Sequence, residues 1–141
     1  EEGIVAAENA MGLNSVVEHR VLPRCIFTKP EVGTVGLTEQ QAKSNGKAVK
    51  IGRCSFFANA KGVSTNHNEG LLKIVAEEGS GLVLGVHIIG PDAAELIHAA
   101  AIGIFMNVTL DDLSKMLFAH PTYSEGLREA ALDALGKAIH K

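Results

Sequence analysis

Short runs of apolar residues separated by turn-forming residues dominate the first two thirds of the chain, a pattern typical of β-strands. The expected strands lie at residues 25–28, 32–37, 48–57, 71–76 and 82–89. Glycine and serine at residues 77–81 predict a hairpin between the last two. The polar stretch 59–68 predicts a loop. In the last strand, the period of two places His87 on one face and a core face opposite it. That core face is expected to consist of Leu82, Leu84, Val86 and Ile88.

Three expected helix starts carry a capping-box pattern, in which two side chains three residues apart satisfy each other's backbone N–H groups. The pairs are Thr38 and Gln41, Asp92 and Glu95, and Thr109 and Asp112. We expect these helices to end at residues 45–46, near residue 107 and near residue 118. A last helix is predicted after Thr122.

The helix predicted over residues 92–107 is apolar on two faces. The face expected to pack on the core consists of Ala93, Leu96, Ile97, Ala100, Ala101 and Ile104. The second face consists of Ala99, Ile102, Gly103 and Phe105. A small domain has no second core to cover it, so we expect a partner surface to do so.

The predicted order is two strands, a helix, three strands and three helices, with hairpins in place of β–α–β crossovers. This order predicts an α+β fold, in which an antiparallel sheet of about five strands carries helices on one side.

Composition excludes several classes of protein. Thirteen Lys and Arg against sixteen Asp and Glu give a net charge of −3, which argues against a nucleic-acid-binding or basic membrane-binding surface. The longest apolar run, residues 99–106, is far shorter than the roughly 20 residues that cross a bilayer. The two cysteines form no C-x-x-C pair, and nothing at the start resembles a signal peptide. We therefore expect a reduced, cytoplasmic protein.

The first twelve residues indicate the back half of a helix that ends at Gly12. They contain neither an initiator Met nor an N-cap residue. We expect the chain to be a piece of a longer protein.

The histidines, cysteines and glycines give little indication of chemistry by their spacing. The histidines at positions 19, 67, 87, 98, 120 and 140 have no metal-ligand spacing, and no metal site is expected. Cys25 and Cys54 lie in predicted strands, which favours buried small hydrophobic residues over a redox pair. No glycine-rich strand-to-helix turn is present to bind a phosphate.

Residues 118–126 differ from the rest of the chain. His120 precedes Pro121, which disfavours helical geometry at His120. A peptide bond before proline also adopts the cis form more readily than one before any other residue. Glu125 falls in the first turn of the next helix, within reach of one imidazole nitrogen, and such a contact strengthens the other nitrogen as a base. In the structural alternative, Thr122 and Glu125 form a capping box and His120 is an ordinary loop residue. Spacing alone favours this alternative.

Four segments resemble, in order and spacing, the C-terminal domain of the pyridine nucleotide-disulfide oxidoreductase family. They are residues 2–9, 23–39 and 85–97 and the sequence His120-Pro-Thr-x-Ser-Glu125. The resemblance covers essentially the whole chain. Within the family it is strongest to the dihydrolipoamide dehydrogenases, through residues 119–125, Lys29-Pro-Glu-Val and Val35-Gly.

The resemblance implies a division of the chain and a role for its end. Residues 1–20 would be a remnant of a preceding FAD domain with its linker, and residues 21–141 the dimerisation domain. His120 would deprotonate dihydrolipoamide in the partner subunit's active site, Glu125 would orient His120, and the backbone at Pro121 would approach the partner's FAD. FAD and NAD are implied for the full-length enzyme. Neither is expected on this chain, because the family's G-x-G-x-x-G loops and redox C-x4-C pair do not occur in it.

The resemblance also implies a homodimer, with the lipoyl-bearing components of a 2-oxo acid dehydrogenase complex as partners and with no nucleic acid or membrane. This chain by itself is expected to have no turnover. Two alternatives stay open, namely a glutathione-reductase-like substrate within the same family and a stand-alone dimerisation module with no catalytic role.

Overall fold

In the computed structural model, which describes residues 1–139, five strands form one antiparallel sheet in the order β1-β2-β5-β4-β3. The strands are β1 (Arg24–Ile26), β2 (Glu31–Gly36), β3 (Val49–Ser55), β4 (Leu71–Glu77) and β5 (Val83–Gly90). The helices are α1 (Glu2–Ala10), α2 (Glu39–Ser44), α3 (Ala60–Thr65), α4 (Ala93–Phe105), α5 (Leu110–Lys115) and α6 (Glu125–Ala134). The predicted α+β class and five-stranded antiparallel sheet are confirmed.

Helices α4 and α6 pack on the same face of the sheet, and each contacts a strand at a glycine. Cross-strand pairing puts Gly33 of β2 in one row with residues of β5, β4 and β3, and Gly52 of β3 lies on the same face. A Cβ atom on Gly33 would collide with the carbonyl oxygen of Ala93, and one on Gly52 with that of Ala130. The missing side chains therefore let both helix backbones approach the sheet closely.

The core lies between this sheet face and the two helices. Its largest fully buried side chains include Phe56, Leu72, Ile74, Ile88, Ile97, Ile104 and Leu110. Burying a side chain of this kind contributes about 1.5–3 kcal/mol, so this layer is the main source of stability. On the opposite face, the carboxylate of Glu39 in α2 binds Lys73 of β4 at 2.6 Å. There, the half-buried His87 donates from Nε2 to the carbonyl of Leu37 at 3.1 Å.

The predicted core face of the last strand is right at one end and wrong at the other. Val86 and Ile88 are buried, but Leu84 is only half-buried, and Val83 takes its place in the core. The pairing of β4 with β5 shifts between Val75 and Ala76, where a β-bulge adds one residue to β5. Because side chains alternate along a strand, one added residue exchanges the two faces beyond it.

Two of the three predicted capping boxes are confirmed, at Thr38 with Gln41 and at Thr109 with Asp112. The third is wrong. Asp92 has a left-handed backbone with φ of 55° and makes no side-chain cap. The N–H of Ala94 instead donates to Glu31 Oε2 at 3.0 Å, so that a carboxylate from β2 caps α4 across the fold.

The predicted loop at residues 59–68 is wrong, because it contains α3. Asn59 caps that helix by accepting the N–H of Gly62 on its Oδ1 atom at 3.1 Å. The helix ends at Asn66, which adopts the left-handed conformation. Asparagine is favoured at both kinds of helix end, so a residue pattern typical of loops here marks two caps.

The second face of α4 is exposed, as expected. Ile102 is 66% exposed and Phe105 is 59% exposed, and Met106 continues the surface at 70%. At the other end of the chain, α1 buries none of its residues. Among residues 1–139, no helix has the length and apolar character needed to span a bilayer.

Candidate active site

The segment between α5 and α6 forms an exposed corner that carries His120. The His120–Pro121 peptide bond is cis, and the side chain of His120 is 69% exposed. The corner ends where α6 begins at Glu125. Gly126 in that first turn lies against Phe56 and Leu72, so the helix start is seated directly on the core.

Glu125 uses its two oxygens for two different partners. Its Oε1 atom lies 2.9 Å from Nδ1 of His120, and its Oε2 atom accepts the backbone N–H of Thr122 at 2.9 Å. The second contact is half of the capping box that the structural alternative predicts. The other half is not formed within residues 1–139: α6 has Ser124 as its N-cap residue and no side-chain cap, and the Thr122 hydroxyl donates to the carbonyl of Ala119. The structure therefore combines the contact of the His–Glu pair with part of the cap.

The carboxylate of Glu125 is held in its charged form. Partial burial acts to raise the pKa of Glu125, but the hydrogen bond from the Thr122 N–H and the contact with His120 outweigh it. Arg128 adds a smaller effect in the same direction, and the resulting pKa lies below the ordinary value. Arg128 also donates from Nε to the carbonyl of Ser114 at 3.1 Å, which joins α5 to α6.

His120 has the arrangement of a positioned base. A carboxylate at Nδ1 selects the tautomer that carries its proton there, which leaves Nε2 as the acceptor. Within residues 1–139, Nε2 has no hydrogen-bond partner, and the ring is largely exposed. The corner can therefore accept a proton from a molecule that approaches from outside this chain.

Sequence reasoning missed the residues that anchor the corner. Asn59 donates from Nδ2 to the carbonyl of Thr122 at 3.0 Å. Tyr123 is buried, donates its hydroxyl to the carbonyl of His67 at 2.7 Å, and packs edge-on against Phe56 with ring centroids 5.4 Å apart. The available signal was the capping preference of Asn59, which predicts a helix where a loop was expected.

The other candidate groups are not brought together. Cys25 and Cys54 are free and lie in one cross-strand row at opposite edges of the sheet. Four strand spacings separate them by about 19 Å, which excludes a disulfide between them. Burial raises the pKa of Cys54 to about 11, and the carboxylates of Glu129 and Asp133 add to that shift. In the part of the chain that the structure describes, no three His, Cys, Asp or Glu side chains are grouped to hold a metal.

Comparison with known families identifies the domain. Residues 22–131 match the model of the pyridine nucleotide-disulphide oxidoreductase dimerisation domain. The chain belongs to this family. The resemblance stated from the four sequence segments is thereby confirmed.

Relatives of this dimerisation domain include named enzymes. The chain is 44% identical to the dihydrolipoyl dehydrogenase of Haloferax volcanii and 45% identical to one from Bacillus subtilis, in both cases over 99% of this chain and 30% of the relative. The crystal structure of LpdA from Mycobacterium tuberculosis superposes with a TM-score of 0.81 at 27% identity, covering 92% of this chain and 28% of that one. The chain thus spans less than a third of the length of each.

Proposed function

We propose that this dimerisation domain belongs to an FAD-dependent dihydrolipoyl dehydrogenase and supplies the base that activates dihydrolipoamide. The observation that carries the proposal is the contact of His120 Nδ1 with Glu125 Oε1 at 2.9 Å, with the other ring nitrogen free on an exposed corner. The identity to dihydrolipoyl dehydrogenases over 99% of the chain supports the choice of substrate.

The proposed step is a proton transfer. A thiol with a pKa near 8.5 is mostly protonated at neutral pH, and only its thiolate is nucleophilic. His120 Nε2 takes the thiol proton of dihydrolipoamide, and Glu125 stabilises the resulting imidazolium. The thiolate then attacks the redox disulfide that the family resemblance implies on the other subunit. In this proposal the protein is a homodimer in which each corner completes the partner's site.

FAD and NAD are proposed cofactors of the whole protein. The residues of this chain do not fit a phosphate-binding site for either cofactor, because the sequence has no G-x-G-x-x-G turn. Its proposed contribution is the exposed backbone at His120 and Pro121, which would face the partner's flavin. The domain division follows from the same reasoning. Helix α1 buries no residue and the family match begins at residue 22, which supports assigning residues 1–20 to a preceding FAD domain.

The partners and location are proposed on similar grounds. Lipoyl-bearing components of a 2-oxo acid dehydrogenase complex are the proposed source of the dithiol. A reducing compartment such as the cytoplasm is supported by the two free cysteines.

The test is His120→Gln in the full-length protein. Dihydrolipoamide oxidation should slow by roughly 10²–10⁴-fold, the usual effect of losing a positioned acid–base group. Electron transfer from NADH to a small artificial acceptor does not need this base and should stay within about twofold of wild type. The matched control is His67→Gln, because the side chain of His67 is exposed and only its backbone carbonyl contacts Tyr123. If His120→Gln oxidises dihydrolipoamide within about twofold of wild type, the capping-and-loop alternative is correct.

A further inference from the structure

The side chain of Asn59 joins two structural elements. Its Oδ1 atom accepts the N–H of Gly62 at 3.1 Å and so caps α3. Its Nδ2 atom donates to the carbonyl of Thr122 at 3.0 Å, across 63 residues of sequence. A cap needs only the oxygen of an asparagine. The amide nitrogen therefore provides a second function that capping does not explain.

The second contact begins a continuous path to His120. The carbonyl oxygen of Thr122 accepts the hydrogen bond from Asn59, and the N–H of Thr122 donates to Glu125 Oε2. The other oxygen of Glu125 holds Nδ1 of His120. Each link is 2.9–3.0 Å long, so that the position of Thr122 sets the position of the carboxylate and, through it, of the imidazole.

Helix α3 and the turn that follows it also hold Tyr123, the residue after Thr122. The hydroxyl of Tyr123 contacts the carbonyl of His67 at 2.7 Å and the hydroxyl of Thr65 at 3.0 Å. In contrast, Ala119, His120 and Pro121 are exposed. The part of the corner that bears the base is therefore fixed from one end, by contacts with α3 and the turns that flank it.

We propose that Asn59 is a positioning residue for the His120–Glu125 base, acting through the Thr122 backbone rather than by contact with substrate. This inference rests on the proposed function of His120. Its physical basis is that proton transfer depends steeply on the placement of the base, and that a shift of about 1 Å can cost up to about 100-fold in rate.

The test separates the two functions of the asparagine in the full-length holoenzyme. Asn59→Asp keeps an oxygen that caps α3 but replaces the donor to Thr122 with a second acceptor. Asn59→Ser keeps a capping hydroxyl, adds no charge and is too short to reach Thr122. Asn68→Asp is the matched control, because Asn68 Nδ2 donates to the carbonyl of Phe57 in the same region without contacting the corner.

Both Asn59 variants should lower kcat for dihydrolipoamide by about tenfold, with KM changed less than about twofold. Thermal unfolding and NADH oxidation by an artificial acceptor should match the Asn68→Asp control. A purely structural role would lower both half-reactions together.

The outcomes distinguish this inference from the proposed function. If His120→Gln abolishes dihydrolipoamide oxidation while both Asn59 variants retain wild-type kcat, the positioning role is wrong and the base assignment stands. If His120→Gln itself has no effect, both fail. If the Asn59 variants lose stability and both half-reactions in parallel, Asn59 is a cap of α3 only and the inference is overturned.

Discussion

Helices α4 and α6 pack on the sheet in the same way but differ in the polarity of the side chains on their outward faces. Each lies over the same sheet face at a glycine, and each has a carboxylate bound to a backbone N–H near its start. That N–H belongs to Ala94 within α4 and to Thr122, three residues before α6. Helix α4 exposes Ile102 and Phe105, whereas α6 carries Glu125, Arg128 and Glu129 on its half-buried side. One outward face is therefore suited to association and the other to chemistry.

The two helix-start carboxylates show where that difference arises. Glu31 reaches α4 from β2 and accepts a backbone N–H of that helix. Glu125 belongs to α6 itself and shares its charge between a backbone N–H and the imidazole of His120. A carboxylate near a helix start becomes part of a candidate active site when one oxygen accepts a backbone N–H and the other contacts a titratable side chain.

The largest effect is expected from placing charge on the outward face of α4. In the full-length protein, Ile102→Asp combined with Phe105→Asp should weaken self-association by roughly 100-fold or more, because two carboxylates would be buried without partners. Sedimentation over a range of concentrations measures the change. Dihydrolipoamide oxidation should fall with the dimer fraction, since each proposed site needs both subunits.

The control for that double variant is Ile26→Asp. Ile26 is 57% exposed, similar to Phe105, but lies on the sheet face opposite α4. This variant should remain dimeric. A protein with both α4 substitutions that still sediments as a concentration-independent dimer would show that another surface mediates association.

The next effect concerns the close approach that the two helices share. Gly52→Ala would place a methyl group against the backbone of Ala130 in α6, so the free energy of unfolding should fall by about 1–3 kcal/mol. Gly3→Ala is the control, because nothing lies within 4 Å of a Cβ there and alanine favours a helix. Equal stability of the two variants in urea would mean that α6 can move away from the sheet at no cost.

The two carboxylates can then be compared by the same substitution. Glu125→Gln should slow dihydrolipoamide oxidation by about tenfold, less than His120→Gln, because it weakens the support of the base without removing it. Glu31→Gln keeps an acceptor for α4 and should change the rate by less than about twofold and the stability by less than about 1 kcal/mol. Steady-state kinetics and urea unfolding measure both. An equal loss of rate in the two variants would contradict the division between the helices.

Sequence reasoning predicted what depends on local pattern. The strands, the hairpin, the exposed face of α4 and the capping boxes at Thr38 and Thr109 all follow from residues close together in the chain. The errors occur where distant residues decide the outcome. The bulge opposite Val75 changes faces in β5, and Glu31 caps a helix that begins about 60 residues later.

The candidate site divides in the same way. His120 and Glu125 are five residues apart, so their contact was within reach of a local argument. Asn59 and Tyr123 contribute through bonds that cross 63 and 56 residues, and no local spacing indicates them. Spacing had presented the His–Glu pair and the capping box as alternatives. Glu125 makes the contact with His120 that the first predicts and one of the two hydrogen bonds that the second predicts.

The smallest effect is expected on the opposite sheet face, where α2 is tied to the sheet by charge rather than by a glycine contact. Hydrogen bonds from Lys43 and Lys73 lower the pKa of Glu39 from 4.5 to about 2. A carboxyl group whose pKa is lower in the folded state stabilises the protein above its unfolded pKa, and the stabilisation is lost as the pH falls toward the folded value. Wild type should therefore exceed Glu39→Gln in urea midpoint by a constant amount above about pH 4.5. The gap should shrink between pH 4.5 and 2, and added salt should reduce it at neutral pH, since these side chains are partly exposed to solvent. A gap that widens in acid would show that the ion pairs do not stabilise the fold.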